Sequence, residues 1–152
     1  MRLVVQRVTR ASVSADGTHL GAIGTGAAVL AGIGADDTEE IVDRMADKLV
    51  GLRYFEDAEG RTNLAIADAG GALLVVSQFT LYADLRRGRR PGFTAAALPD
   101  VAVPLLDRFL ARLRDTGLAV ETGRFGAEMA VELVNDGPFT LVIDSERDLA
   151  PA

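Results

Sequence analysis

Three small polar side chains crowd one short stretch, Ser77-Gln78-Phe79-Thr80. Two hydroxyls and a carboxamide can grip a carbonyl or, given an activating base, attack an acyl carbon. The base is the difficulty. The chain holds one histidine, His19, and no cysteine. His19 falls in the first hairpin, so no Ser-His-Asp set can be assembled around Thr80. The plainer reading is that Ser77 and Thr80 tie off a strand by bonding to nearby backbone.

A second concentration of chemistry follows at once. Arg86, Arg87, Arg89 and Arg90 sit in Leu85-Arg86-Arg87-Gly88-Arg89-Arg90-Pro91-Gly92-Phe93, a loop broken by glycine and proline. Such a loop can hold phosphates, with Phe93 offering a ring for a base, or it can be a solvated face. Asn135-Asp136-Gly137-Pro138 has the composition of a hairpin turn. The acids Asp36, Asp37, Glu39 and Glu40 suit a helix start better than a metal site, since neither histidine nor EF-hand spacing accompanies them. Gly21, Gly24, Gly26, Gly32 and Gly34 form no nucleotide-binding motif and fit turns and close sheet packing.

The elements that must position these groups follow from the apolar spacing. Leu73-Leu74-Val75-Val76 reads as a buried strand over 72–79 that delivers Ser77 to Thr80 to its end. Residues 1–14 alternate as one strand, bulged near Thr9-Arg10. Asp16-Gly17 turns the chain back, and Gly24-Thr25-Gly26 leads into 27–33, so the first thirty-odd residues read as a three-stranded meander. Ile41, Val42, Met45, Leu49 and Leu52 give an amphipathic helix capped at Asp37 or Thr38. A second helix opens at Pro99 and stops at Gly117. Further strands are expected at 53–57, 118–121, 127–134 and 139–143, with 63–71 ambiguous. The fold class is therefore α+β, a β-rich single domain over 1–152. Mixed and antiparallel sheets take a barrel-like arrangement covered by two main helices. Residues 145–152 are expected to fray.

Composition narrows the function classes. A net charge of −6 opposes a generic nucleic-acid binder, yet leaves room for one local basic patch. The absence of cysteine rules out disulfides and thiolate sites and suits a reducing compartment. With no signal-like start and no membrane-length apolar run, the expectation is a cytoplasmic protein without a membrane partner.

Ser77-Gln78-Phe79-Thr80-Leu81-Tyr82-Ala83-Asp84 resembles the S-Q-x-T signature of the D-aminoacyl-tRNA deacylases. Asn135-Asp136-Gly137-Pro138-Phe139-Thr140 resembles their N-x-G-P-x-T signature. The opening Met1 to Val8, the Gly88-Arg89-Arg90-Pro91 loop and Glu121 to Gly126 are similar too. The chain departs from the family at Arg86-Arg87, where lysine is expected, and at Gly92, where serine is expected.

The resemblance implies hydrolysis of the ester between a D-amino acid, or wrongly attached glycine, and the 3′ end of tRNA. It implies a homodimer with each active site at the subunit interface, and neither metal nor other cofactor. Ser77, Gln78, Phe79 and Thr80 would form the catalytic stretch. Substrate assistance by the terminal 2′-hydroxyl is favoured over Thr80 as a covalent nucleophile. Gly137-Pro138 would be a cis pair that enters the neighbouring subunit's pocket and rejects L side chains, supported by Asn135, Arg7 and Met129. Arg86, Arg87, Arg89, Arg90 and Phe93 would meet the tRNA. A non-catalytic tRNA-binding module and a hydrolase of small esters remain the alternatives.

Overall fold

The computed structural model describes residues 1–151. Its chain runs β1 (Arg2–Ala15), β2 (Thr18–Ile23), β3 (Gly26–Gly32), α1 (Glu39–Gly51), β4 (Arg53–Glu56), β5 (Thr62–Ala65) and β6 (Ala72–Ser77). A 3-10 turn (Phe79–Tyr82), α2 (Pro99–Asp115), β7 (Val120–Thr122), β8 (Ala130–Asp144) and α3 (Ser145–Asp148) complete it. Both main helices begin where their cap chemistry says. Thr38 accepts from the Ile41 N–H, and Pro99 occupies the first turn of α2.

The long strand β1 organises the sheet. β8 pairs antiparallel along almost its whole length, Arg2 facing Asp144 and Ser14 facing Ala130. The other edge of β1 is shared. β3 takes the first half, Arg2 to Val8, and β2 takes Ala11 to Ala15. The expected meander is therefore wrong in its last step, because β3 pairs with β1 rather than β2. The reason lies in burial. Six of the seven β3 residues are fully buried, so β3 needs neighbours on both sides and finds them in β1 and, in parallel, β6. β7 extends the sheet in parallel beyond β6. The sheet then curls until β2 approaches β6 and β7, giving a nearly closed barrel.

Curling creates two cores, and β6 serves both. Leu73 and Val75 pack under α1 and α2 with Val42, Met45, Leu49, Phe109 and Leu113. Leu74 and Val76 point into the barrel against Val8, Val13, Ile23 and Ala28. Alternate side chains face opposite sides of a strand, so a strand buried on both sides must be apolar throughout. That accounts for the unbroken run from Leu73 to Val76.

Two strands and a hairpin expected between 127 and 143 are in fact one strand. Between Val8 facing Asn135 and Gln6 facing Thr140, two steps on β1 oppose five on β8. The segment 136–139 loops out, and the strand resumes. Asn135 makes this possible. Its amide donates to the Arg7 and Phe139 carbonyls, both at 2.9 Å, and its Oδ1 accepts from the Phe139 N–H at 3.2 Å. One side chain thus supplies the bonds the ladder loses. A second irregularity, where Val8 and Arg10 face Asn135 and Val134, is the bulge expected near Thr9-Arg10.

The tail is ordered further than expected. Asp144 caps α3 by accepting from the Glu146 N–H at 3.0 Å, Ser145 is buried, and Leu149 packs against the helix-side core. Ala152 lies outside the described residues. Among the described residues, no helix is long and apolar enough to cross a membrane.

Candidate active site

The end of β6 opens into a cleft of about 960 Å³. Val76 to Thr80 form its floor, Phe93 and Ala96 to Pro99 one side, and Phe125 to Met129 another. The sequence places β6 through residue 79, but the strand stops at Ser77 and the chain tightens into the 3-10 turn. Several contacts hold that turn against the sheet. The Gln78 N–H donates to the Ala31 carbonyl at 2.8 Å, and Arg2 Nη1 donates to the Leu81 carbonyl at 3.0 Å. The Arg2 guanidinium also lies over the Tyr82 ring at 4.5 Å. Burial raises the Tyr82 hydroxyl pKa, so it stays protonated. Gly34 is required for the fit, because a β-carbon there would sit 2.7 Å from the Tyr82 oxygen.

Within the turn, the Gln78 carboxamide donates to the Thr80 hydroxyl. Among the described residues, no carboxylate, amine or imidazole hydrogen-bonds that hydroxyl. His19 stands exposed on β2 and does not line the cleft. The backbone N–H groups of Phe79 and Thr80 donate to no acceptor among the described residues, and both residues are exposed. The site therefore offers free donors and an unactivated hydroxyl. That set suits stabilisation of charge on an acyl oxygen better than nucleophilic attack.

Phe93, placed by sequence with the arginine loop, belongs to the cleft. Its ring meets Phe79 edge to face, centroids 5.0 Å apart at 72°. Phe125 adds a third exposed ring. The arginine loop itself lies outside, closed at its base by paired hydrogen bonds between Asp84 and Gly92 at 2.7 and 3.0 Å. A β-carbon at Gly92 would meet nothing nearer than 3.9 Å, so the missing serine reflects no steric demand. Arg86 differs from its neighbours, because it grips Asp84 through Nε at 2.9 Å and Nη2 at 2.8 Å. That pairing holds the Asp84 carboxyl well below the usual carboxylate range. Arg87, Arg89 and Arg90 form no ion pair among the described residues.

The second signature is built elsewhere. Arg7 is buried, and its Nε donates to the Asp136 carbonyl at 3.1 Å while Nη1 donates to the Tyr54 carbonyl at 2.9 Å. Its guanidinium lies 4.8 Å over the Phe139 ring. Asp136 and Glu56 flank it as carboxylates at 3.5 and 4.0 Å. These contacts fix an exposed Gly137-Pro138 pair joined by a cis peptide bond.

The structure does not bring this pair to its own cleft. Ser77 registers with Ala31, but Arg7, beside the Gly137-Pro138 loop, registers with Ala27. Four residues along the strands and three strands across amount to about 13 Å by about 14 Å. Met129, expected to support Gly137-Pro138, lines the Ser77–Thr80 cleft, where its sulfur packs over Gly123.

Sequence reasoning missed Arg2, Phe125 and Glu128. Arg2 reads as one more alternating polar residue. Phe125 and Glu128 stand in a loop with no periodicity to single them out. No three His, Asp or Glu side chains converge as metal ligands among the described residues.

The comparisons with known proteins agree with one another. The family pattern described as D-Tyr-tRNA(Tyr) deacylase matches residues 4–144. A D-aminoacyl-tRNA deacylase of Symbiobacterium thermophilum is 58% identical over 147 residues, 97% of each chain. That of Chloroflexus aurantiacus is 58% identical over 145 residues, 95% of this chain and 91% of the other. Among solved structures, a c-Myc DNA Unwinding Element Binding Protein superposes with a TM-score of 0.89 at 40% identity, both chains covered in full. A probable eukaryotic D-amino acid tRNA deacylase shares the fold, with a TM-score of 0.80 at 20% identity over 93% of this chain and 97% of the other. The cleft at the end of β6, the clamped Gly137-Pro138 loop and this near full-length likeness all lead to one statement: the chain belongs to the D-Tyr-tRNA(Tyr) deacylase family.

Proposed function

We propose that this chain hydrolyses the ester that joins a D-amino acid, or glycine, to the 3′-terminal adenosine of tRNA, and that it does so as a homodimer. The carrying observation is the pair of unpartnered N–H groups at Phe79 and Thr80, beside a threonine hydroxyl that no base activates. An aminoacyl ester is already activated, so placement and oxyanion stabilisation are the main requirements. Water adds to the carbonyl carbon, and negative charge on the carbonyl oxygen is received by the two N–H groups. The C–O bond then breaks, and the 3′-oxygen leaves as a hydroxyl after taking a proton. The neighbouring 2′-hydroxyl of the terminal adenosine orients the water and carries the proton. Gln78 holds the substrate near Thr80, while Phe79, Phe93 and Phe125 offer ring faces to the adenine. Arg87, Arg89 and Arg90 meet the acceptor-stem phosphates.

Chiral selection is assigned to Gly137-Pro138 of a second copy. The loop is exposed, firmly held and remote from its own cleft, which supports delivery into a partner's cleft. There it clashes with an L side chain and leaves room for a D side chain or glycine, a specificity by rejection. Charged tRNA is handled in the cytoplasm, and that is the compartment this reading requires.

The test incubates the protein with matched D- and L-aminoacyl-tRNA, glycyl-tRNA, and D-aminoacyl-tRNA ending in 2′-deoxyadenosine. Loss of the D- and glycyl esters that depends on the 2′-hydroxyl is expected. Binding of tRNA without turnover would support the non-catalytic module. Equal hydrolysis of free D-aminoacyl esters would point to a small-ester hydrolase.

A further inference from the structure

The free N–H groups of Phe79 and Thr80 stand on a support that is weak by itself. The 3-10 turn from Phe79 to Tyr82 spans about 8 Å, and none of its residues is fully buried. Helical turns this short do not persist unaided. Burial of its own side chains therefore does not fix where the two donors point. The sheet beneath supplies what is missing.

Arg2 on β1 stands opposite Gly32 on β3 and Asp144 on β8, so the three share one face of the sheet. Gly32 has no side chain, and a β-carbon there would sit 2.9 Å from the Gln78 carbonyl oxygen and 3.2 Å from the Leu81 β-carbon. The turn lies directly on that bare backbone. Arg2 reaches over from the next strand, donates from Nη1 to the Leu81 carbonyl at 3.0 Å and covers the Tyr82 ring at 4.5 Å. Its Nε donates to Asp144 at 2.8 Å, which anchors the guanidinium from the other side.

A plain tether between strands is the other use of an Arg2–Asp144 pair. β1 and β8 are already paired as far as Ser14 and Ala130, so the sheet does not need it. The Leu81 carbonyl does, because Arg2 is its one donor among the described residues. Arg2 does not line the cleft, so whatever it does for the reaction passes through the turn.

We infer that Arg2 is a positioning residue: anchored by Asp144, it holds the carbonyl end of the turn so that the N–H groups of Phe79 and Thr80 meet the developing oxyanion. This inference rests on the proposed deacylase reading and assigns the two donors of that reading their support.

The experiment compares the unaltered protein with Arg2→Met, which keeps a long stem and removes the charge, and with Arg2→Lys. Arg108→Ala serves as a control, because it breaks the contacts of Arg108 with Asp43 and Glu39, away from the turn. D-aminoacyl-tRNA hydrolysis is measured well below each thermal midpoint, together with the backbone amide NMR shifts. Arg2→Met should lower kcat about tenfold and leave KM within about twofold, since misplaced donors weaken the transition state more than the bound ester. Arg2→Lys should recover kcat to within about threefold, a point charge replacing the fork. The Phe79 and Thr80 amide shifts should move in Arg2→Met and stay in place in Arg108→Ala, which should lose thermal stability but not kcat. An unchanged kcat in folded Arg2→Met would overturn the inference. So would a rise in KM alone, which would make Arg2 a tRNA contact, or a fall in kcat with the two amides unmoved. If the unaltered protein hydrolysed no aminoacyl-tRNA, the deacylase reading would fail, and the amide shifts would still decide whether Arg2 holds the turn.

Discussion

Arg7 donates from Nε to the carbonyl of Asp136 at 3.1 Å, and so the strand next to the sheet's centre grips the residue that precedes Gly137. The same buried guanidinium holds the Tyr54 carbonyl. Arg7→Ala would leave both carbonyls without their donor and a void over Phe139. A loss of about 2–4 kcal/mol in unfolding free energy is expected. In the proposed dimer the loosened loop would also discriminate less, so the ratio of D- to L-ester hydrolysis should fall. Denaturant titration and paired single-turnover assays measure the two effects. Unchanged discrimination in a folded Arg7→Ala protein would detach Arg7 from chiral selection.

Thr80→Ala removes the hydroxyl that accepts from Gln78 and leaves the backbone N–H of residue 80 in place. Deacylation should persist within about tenfold, a loss of no more than about 1.4 kcal/mol of barrier stabilisation. A fall to the uncatalysed rate with tRNA binding intact would restore Thr80 as a covalent nucleophile.

Gly137 has φ +136, and a β-carbon there would sit 3.0 Å from the Phe139 nitrogen and 3.2 Å from Arg7 Nη2. Gly137→Ala therefore costs about 1–3 kcal/mol locally. Hydrolysis of both D-aminoacyl- and glycyl-tRNA should drop tenfold or more. Full activity in that variant would remove residue 137 from the pocket.

α1 and α2 are joined by a ladder in which Arg108 meets Asp43 through Nε and Nη2, both at 2.8 Å, and Arg112 meets Asp47. The Arg108 hydrogen bond holds the Asp43 carboxyl below its ordinary value of 3.8. A carboxyl with a lowered folded pKa stabilises the fold above its ordinary pKa and loses that contribution as pH falls through the folded one. The thermal midpoint of Asp43→Asn should therefore trail that of the unaltered chain at about pH 6, and the gap should begin to narrow near about pH 4 and close only once the pH is below the lowered folded pKa. A gap that stayed constant down to pH 2 would contradict the pairing.

Charge reversal at Arg89 and Arg90 should weaken tRNA binding and flatten its dependence on salt, by about one unit of slope for each phosphate no longer neutralised. Arg86→Ala should do less, because that side chain is committed to Asp84. Identical salt slopes in the double charge-reversal variant and the unaltered chain would take the loop out of tRNA recognition.

What could be read from sequence divides by physical cause. The apolar run from Leu73 to Val76, both main helices and the bulge after Val8 were legible, because each is a local pattern of burial. The pairing of β3 with β1 was not, since periodicity shows which face is buried and not which strand lies alongside. β8 was split in two because Asn135-Asp136-Gly137-Pro138 has turn chemistry, and only the tertiary bonds of Asn135 turn it into an outward loop. Ser77 to Thr80 and Phe93 could be singled out by residue type and Met129 only through the resemblance, whereas Phe125 and Glu128 reach the cleft on a loop whose sequence carries no geometric signal.

β6 has one more consequence. A strand held by a core on each face exposes its amides only when the whole domain opens. Hydrogen exchange of Leu74 and Val75 should then report the global unfolding free energy. The cleft hangs from the end of that strand, so heat should not inactivate the site ahead of the fold. Catalytic half-life and structural half-life would be one quantity.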